Sequence, residues 1–173
     1  MTTPDRASAL RELGASRDAF VGAYDGVPDE ALVFLKAGED YALGGLVPHV
    51  CAVLEHYRSI LSTVVDSGFV EVRPQDPPGF WENQGLAAHE GLQPTERAEA
   101  FAELARRHDA FVSAVEALPA EDWDRKAPVW YGPADDALPT SPADIWGWLN
   151  DHYQEHIPQV SQLHGEWEAS RAG

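Results

Sequence analysis

Apolar residues recur every three or four positions in four stretches of the chain, a period typical of helices that bury one face. The stretches cover residues 4–25, 46–64, 95–118 and 142 onward. Thr3 stands before the first as a predicted N-cap, and Ser141 with Asp144 forms a near match to a capping box at the fourth. Because no stretch alternates polar and apolar residues convincingly, the pattern predicts an all-α fold, a four-helix bundle without strands.

Two connectors interrupt this pattern. Residues 67–94, between the second and third predicted helices, are rich in Pro and Gly yet carry Phe80, Trp81 and Leu86, which are costly to leave in water. We therefore expect a long, irregular but ordered connector with at most one short helix, packed over another part of the fold. Residues 123–140 form a second irregular connector that also bears aromatic residues.

Length, charge and cysteine content narrow the class of protein. A chain of 173 residues, 44% of them hydrophobic, fits one domain spanning 1–173. Acidic residues number 29 against 12 basic ones, and the net charge of −17 disfavours binding to nucleic acid or to an anionic membrane. The single Cys51 suits a small core residue in a reducing compartment. Without a signal region or an apolar run of about 18 residues, we expect a soluble, cytoplasmic protein.

His152 and His156 stand four residues apart in the last predicted helix, so their imidazoles stack on one face. Ile145, Leu149 and Val160 recur around them at helical steps, which turns that face inward. Buried imidazole nitrogens need either hydrogen-bond partners or a cation. The pair is therefore half of a candidate metal site.

His49 is the best candidate for a third ligand, because it lies in the first turns of the second predicted helix and borders its inward stripe. Facing helices of a bundle can bring such distant residues together. Two histidines on one helix and one on another leave coordination positions open, which is the pattern of a catalytic metal site.

The other histidines are weaker candidates. His56 lies two turns beyond His49, about 10 Å along the helix, so both cannot bind the same ion, and His56 could replace His49 only in a different helix register. His108 falls on the apolar stripe of the third predicted helix, where we expect a hydrogen-bonded core histidine. His89 and His164 are expected to be exposed.

These motifs, in this order and spacing, resemble the DinB/YfiT-like superfamily of metalloenzymes. The resemblance spans nearly the whole chain. It rests on a Val-Pro-His motif that ends at His49, with Glu55 and His56 downstream of it. It rests also on the stretch from His152 through His156 to Gln159, which looks like that family's C-terminal His-x-x-Gln pattern.

The resemblance implies an up-down-down-up bundle, often dimeric, so we expect a homodimer. It also implies a divalent metal such as zinc or nickel, held by His49, His152 and His156. Relatives include mycothiol- and bacillithiol-dependent transferases and a mycothiol-dependent maleylpyruvate isomerase, in which the metal binds the low-molecular-weight thiol as thiolate. We therefore expect a metal-dependent enzyme that uses such a thiol on a small-molecule electrophile.

Two features depart from the family pattern. Pro158 lacks an N–H and clashes with the carbonyl of Gln154, so the last helix should kink or break just after His156. The long 67–94 connector could form a wall or lid over the site and set substrate choice.

Two other functions stay open. The string from His152 to His156 fits the His-x-x-Glu-His motif of inverted zinc metallopeptidases, but those need a carboxylate ligand well downstream, and Glu155 points about 100° away from His156. The bundle could instead bind a small apolar molecule without catalysis. Several aromatic residues could line such a pocket, although positions in the core or at its rim are more common for them: Trp81, Trp130, Tyr131, Trp146 and Trp148.

Overall fold

The computed structural model describes residues 4–132 and 136–172, which form a mostly helical fold. Its five α-helices are α1 (Arg6–Gly22), α2 (Leu46–Asp66), α3 (Phe80–Glu90), α4 (Arg97–Glu116) and α5 (Pro142–Ala172). Two short strands, β1 (Ala127–Val129) and β2 (Leu138–Thr140), lie between α4 and α5. Single 3-10 turns cover Asp29–Ala31, Pro94–Glu96 and Ala120–Asp122. The prediction of a mostly helical fold is confirmed. The four-helix bundle and the up-down-down-up order of its helices stay predictions.

The start of α1 differs from the sequence-based expectation. Asp5, and not Thr3, caps the helix, and its side chain accepts a hydrogen bond of 3.0 Å from the backbone N–H of Ser8. Asp is as good an N-cap residue as Thr, so pattern alone could not choose between two neighbouring caps. Thr3 itself lies outside the described residues.

The prediction of a fold without strands is wrong, because β1 and β2 pair as an antiparallel ribbon. Pro128 and Pro139 face each other in its register, and each strand has only three residues. Strands that are so short and contain Pro leave no alternating pattern in the sequence. Val72 of the long connector pairs with Val129 beside this ribbon, so part of the connector is fixed to the body of the protein.

The helices pack around one apolar core. α1 packs against α5, and α2 packs against α3, α4 and α5. Cys51 lies in this core, as expected, and burial raises the pKa of its thiol to about 12. The largest buried side chains include Tyr24, Tyr153, Phe20, Phe111 and Leu13. No helix in the described part of the chain combines the length and apolar character that crossing a bilayer requires.

A close approach between two backbone segments places the start of α2. The carbonyl oxygen of Ala88, near the end of α3, accepts a hydrogen bond of 2.9 Å from the N–H of Ala42. A Cβ atom at Gly45 would lie 1.7 Å from that same carbonyl oxygen, so only glycine fits there. Gly45 in turn accepts the N–H of His49 at 3.2 Å, and the first turn of α2 is thereby set in position.

α5 is continuous through Pro158, so a break after His156 is excluded, and the alternative of a kink there stays a prediction. Pro158 removes one backbone hydrogen bond, the one to the carbonyl of Gln154. Gln154 lies on the exposed side of the helix, where water can satisfy that carbonyl. His156 and Val160, on either side of Pro158, are buried, so the helix packs against the core both before and after the proline.

Candidate metal centre

Three histidines from two helices converge at the interface of α2 and α5. The ring centroid of His49 lies 4.9 Å from that of His152 and 5.0 Å from that of His156. The Nε2 atoms of His152 and His156 are 3.2 Å apart. One ring nitrogen of each histidine lies within 4.8 Å of a ring nitrogen of each of the other two. The structure thus brings together the three residues that the sequence singled out.

Gln159 orients the ring of His156. The side-chain oxygen Oε1 of Gln159 lies 2.7 Å from Nδ1 of His156. An amide oxygen can only accept, so Nδ1 of His156 carries the proton and donates it to this bond. The lone pair of the neutral ring is then on Nε2, the atom that faces His152. This is the arrangement in which proteins usually hold a metal-binding histidine.

Burial keeps two of the rings in their neutral, ligand-competent form. It lowers the pKa of His49 to about 4 and that of His152 to about 3, and the neighbouring His156 contributes to both shifts. A neutral imidazole offers a lone pair, whereas an imidazolium does not. The site therefore presents nitrogen lone pairs near neutral pH, which fits a divalent metal cation.

Tyr41 is a member of this site that the sequence analysis missed. Its ring lies against His49, with centroids 4.4 Å apart and planes inclined by 32°, and its centroid is 6.0 Å from that of His156. Tyr41 comes from the irregular segment before α2, where no periodicity reveals which way a side chain points. Its ring covers part of the histidine cluster.

The remaining histidines lie elsewhere. His56 pairs with Asp76, and the buried His108 lies 3.2 Å from the Tyr153 hydroxyl oxygen, as expected of a core histidine. His89 is exposed, as predicted. His164 is not, because its half-buried ring stacks on Trp167 with centroids 5.9 Å apart.

Three aromatic rings continue from the histidines along the protein surface, and we call Tyr57, Tyr131 and Trp148 the aromatic band. Trp148 lies one helical turn before His152 on α5 and therefore on the same face. Its ring centroid is 5.6 Å from that of Tyr57 and 6.0 Å from that of Tyr131. All three residues are half-buried, so the band offers apolar surface next to the histidine cluster.

The other predicted aromatic candidates differ in their environments. Trp146 belongs to the core and donates its indole N–H to the carbonyl of Ala9 at 2.8 Å. Trp130 lies under the guanidinium of Arg73, with 4.0 Å from Cζ to the ring centroid. Trp81 is 43% exposed on α3.

Glu155, the residue that a metallopeptidase would need beside its ligands, is exposed, whereas its neighbour His156 is buried. The two side chains therefore lie on different faces of α5, as the helical spacing predicted. Among the residues that the structure describes, no Asp or Glu joins the group formed by His49, His152 and His156.

Comparison with known proteins agrees with this architecture. No curated protein matches the chain. The family model of the DinB superfamily matches residues 12–160, a span that runs from α1 into α5 and includes all three clustered histidines. The chain therefore belongs to the DinB superfamily.

Proposed function

We propose that the protein is a divalent-metal-dependent enzyme that uses a low-molecular-weight thiol, such as mycothiol or bacillithiol, on a small electrophile. The observation that carries this proposal is the convergence of His49, His152 and His156, with one nitrogen each within 4.8 Å of the others. Membership of the DinB superfamily supports a metal-dependent activity. Zinc and nickel are the ions we propose, because both accept imidazole ligands.

The ligand set favours catalysis over a purely structural role. Structural zinc sites are closed by four protein ligands, whereas three imidazoles leave at least one coordination position open. A divalent ion bound there would supply Lewis acidity that favours the thiolate form of a coordinating thiol, and the thiolate is the nucleophilic form.

The side chains around the cluster have separate tasks in this proposal. Gln159 keeps the Nδ1 proton of His156 in place, so that Nε2 faces the other two rings. Tyr41 covers one side of His49 and limits access of water to that ring. The aromatic band provides apolar surface beside His152, along which an apolar electrophile can lie.

The test is thiol conjugation by the metal-loaded protein. Chlorodinitrobenzene serves as the electrophile and mycothiol or bacillithiol as the thiol; a C–S bond forms, chloride leaves and the thiol proton passes to solvent. We expect zinc- or nickel-loaded wild type to accelerate the reaction. His152→Ala should lose both the bound metal and the acceleration, whereas His89→Ala, a change at an exposed histidine, should keep both.

Two results would contradict the proposal. A His152→Ala protein that retains a full equivalent of metal and the full rate would place the chemistry elsewhere. A wild-type protein that binds metal but accelerates conjugation with neither thiol would exclude the proposed thiol chemistry. Saturable binding of the electrophile without turnover would then favour the alternative function, in which the protein binds a small apolar molecule without catalysis.

A further inference from the structure

A cleft of about 530 Å³ opens at the far end of the aromatic band, between α2, the loop before α3 and the turn after β1. Tyr131 belongs to both the band and the cleft, so one surface continues into the other. His56, Asp76, Phe80 and Trp81 form further parts of the cleft wall. His56 is two turns from His49 on α2, about 10 Å along the helix, so this is a second place and not part of the histidine cluster.

Two polar groups in the cleft, the ring of His56 and the indole N–H of Trp81, bond to the carboxylate of Asp76. Oδ1 of Asp76 accepts a hydrogen bond from Nδ1 of His56 at 2.9 Å, and Oδ2 accepts one from the indole N–H of Trp81 at 2.8 Å. With its proton on Nδ1, a neutral imidazole keeps its lone pair on Nε2. Within residues 4–132 and 136–172 this Nε2 has no hydrogen-bond partner.

The open surfaces of these groups face the cleft. The His56 side chain is 22% exposed and the Trp81 residue 43% exposed, although an indole ring in water is unfavourable. A pairing that only anchored the connector to α2 would not require an accessible ring or an accessible Nε2. The group as a whole resembles a histidine held by a carboxylate so that its second nitrogen can act on a ligand.

The charges of the cleft define the class of ligand. Among the residues that the structure describes, no Lys or Arg lines the cleft, whereas Asp76 and Glu82 do, and the whole chain carries a net charge of −17. Anions are therefore disfavoured. Phe80, Trp81 and Tyr131 offer rings against which another ring can pack.

We propose that this cleft binds a ring-containing molecule that is not an anion and whose hydroxyl group donates a hydrogen bond to Nε2 of His56. Asp76 is the positioning residue, because it holds the Nδ1 proton of His56 and the indole of Trp81 at once. The site does not require a metal ion, so it can be tested apart from the proposed thiol chemistry.

The test uses metal-free, full-length protein at about pH 8, where imidazole side chains are ordinarily neutral. Phenol and cyclohexanol serve as flat and saturated hydroxylated rings, anisole as a ring without a donor, and benzoate as an anion. NMR signals of the His56 ring and the Trp81 indole N–H report binding, and His56→Phe and Trp81→Phe spectra assign them. We expect saturable shifts with at least one hydroxylated ring, and binding of anisole about three- to tenfold weaker than that of phenol.

His56→Phe keeps a ring at this position but removes the acceptor, so it should bind phenol no better than it binds anisole. His89→Phe, at an exposed position on α3, is the matched control and should bind as wild type does. Equal binding of phenol and anisole by wild type would overturn the proposal, as would tighter binding of benzoate or the absence of saturable shifts with both hydroxylated rings. The comparison of these ligands uses wild type alone, so it tests the proposal even if His56→Phe does not fold.

Discussion

Replacement of Gln159 by Leu tests whether the hydrogen bond to His156 sets the strength of metal binding. The bond is 2.7 Å long and half-buried, and its loss frees both the ring orientation and the position of the ring proton. One such hydrogen bond contributes about 0.5–1.5 kcal/mol. Removal of a residue that orients a metal ligand typically costs about 10- to 100-fold in affinity. We therefore expect Gln159→Leu to weaken zinc binding about tenfold, equivalent to about 1.4 kcal/mol.

The assay is a competition titration of zinc between the protein and a chromophoric chelator. Gln162→Leu is the matched control, because Gln162 lies on the same helix, is exposed and bonds to Glu166 instead of to a ring of the cluster. Gln159→Glu should keep wild-type affinity or exceed it, since a carboxylate accepts the same proton and adds negative charge. Zinc affinity unchanged in Gln159→Leu would refute this reasoning, and a loss as complete as that in His156→Ala would identify Gln159 as a ligand itself.

Three further changes test the fold. Ser141→Ala removes the hydroxyl that accepts the N–H of Asp144 at 3.2 Å and should lower the free energy of unfolding in urea by about 1 kcal/mol. Gly45→Ala places a Cβ 1.7 Å from the carbonyl oxygen of Ala88 and should cost about 3 kcal/mol in the same assay. Burial lowers the pKa of His108 to about 4, so as the pH drops the unfolded chain takes up this proton before the folded protein does. The free energy of unfolding therefore falls between about pH 6.5 and about pH 4. His108→Phe should remove about 2–3 kcal/mol of that fall. Unchanged urea midpoints, or an unchanged pH dependence for His108→Phe, would contradict these accounts.

The long helices could be predicted because each buries one face against the core. The second predicted helix, 46–64, corresponds to α2 (Leu46–Asp66), and the capping box at Ser141 and Asp144 opens α5 as expected. Local signals failed where elements were short. β1 and β2 have three residues each and contain Pro, and α3 lies within a connector dominated by Pro and Gly.

The three clustered histidines could be predicted because they lie on inward faces of long helices, where spacing shows direction. Tyr41 could not, because it lies in an irregular segment whose path depends on contacts with the end of α3. The pairing of His56 with Asp76 could not be predicted either, because Asp76 lies in the irregular 67–94 connector, where no periodicity shows which residue faces α2. The metal and its identity, the thiol and the homodimer stay predictions, because each depends on groups outside this chain.

The most direct test of the central claim is elemental analysis of untagged protein purified without chelator. The wild type is compared with the His152→Ala/His156→Ala double variant, both before and after incubation with zinc or nickel. The account predicts about one equivalent of divalent metal in wild type and none in the variant, since three imidazoles form one site. Absence of metal from wild type even after incubation, or an equal content in both proteins, would contradict it.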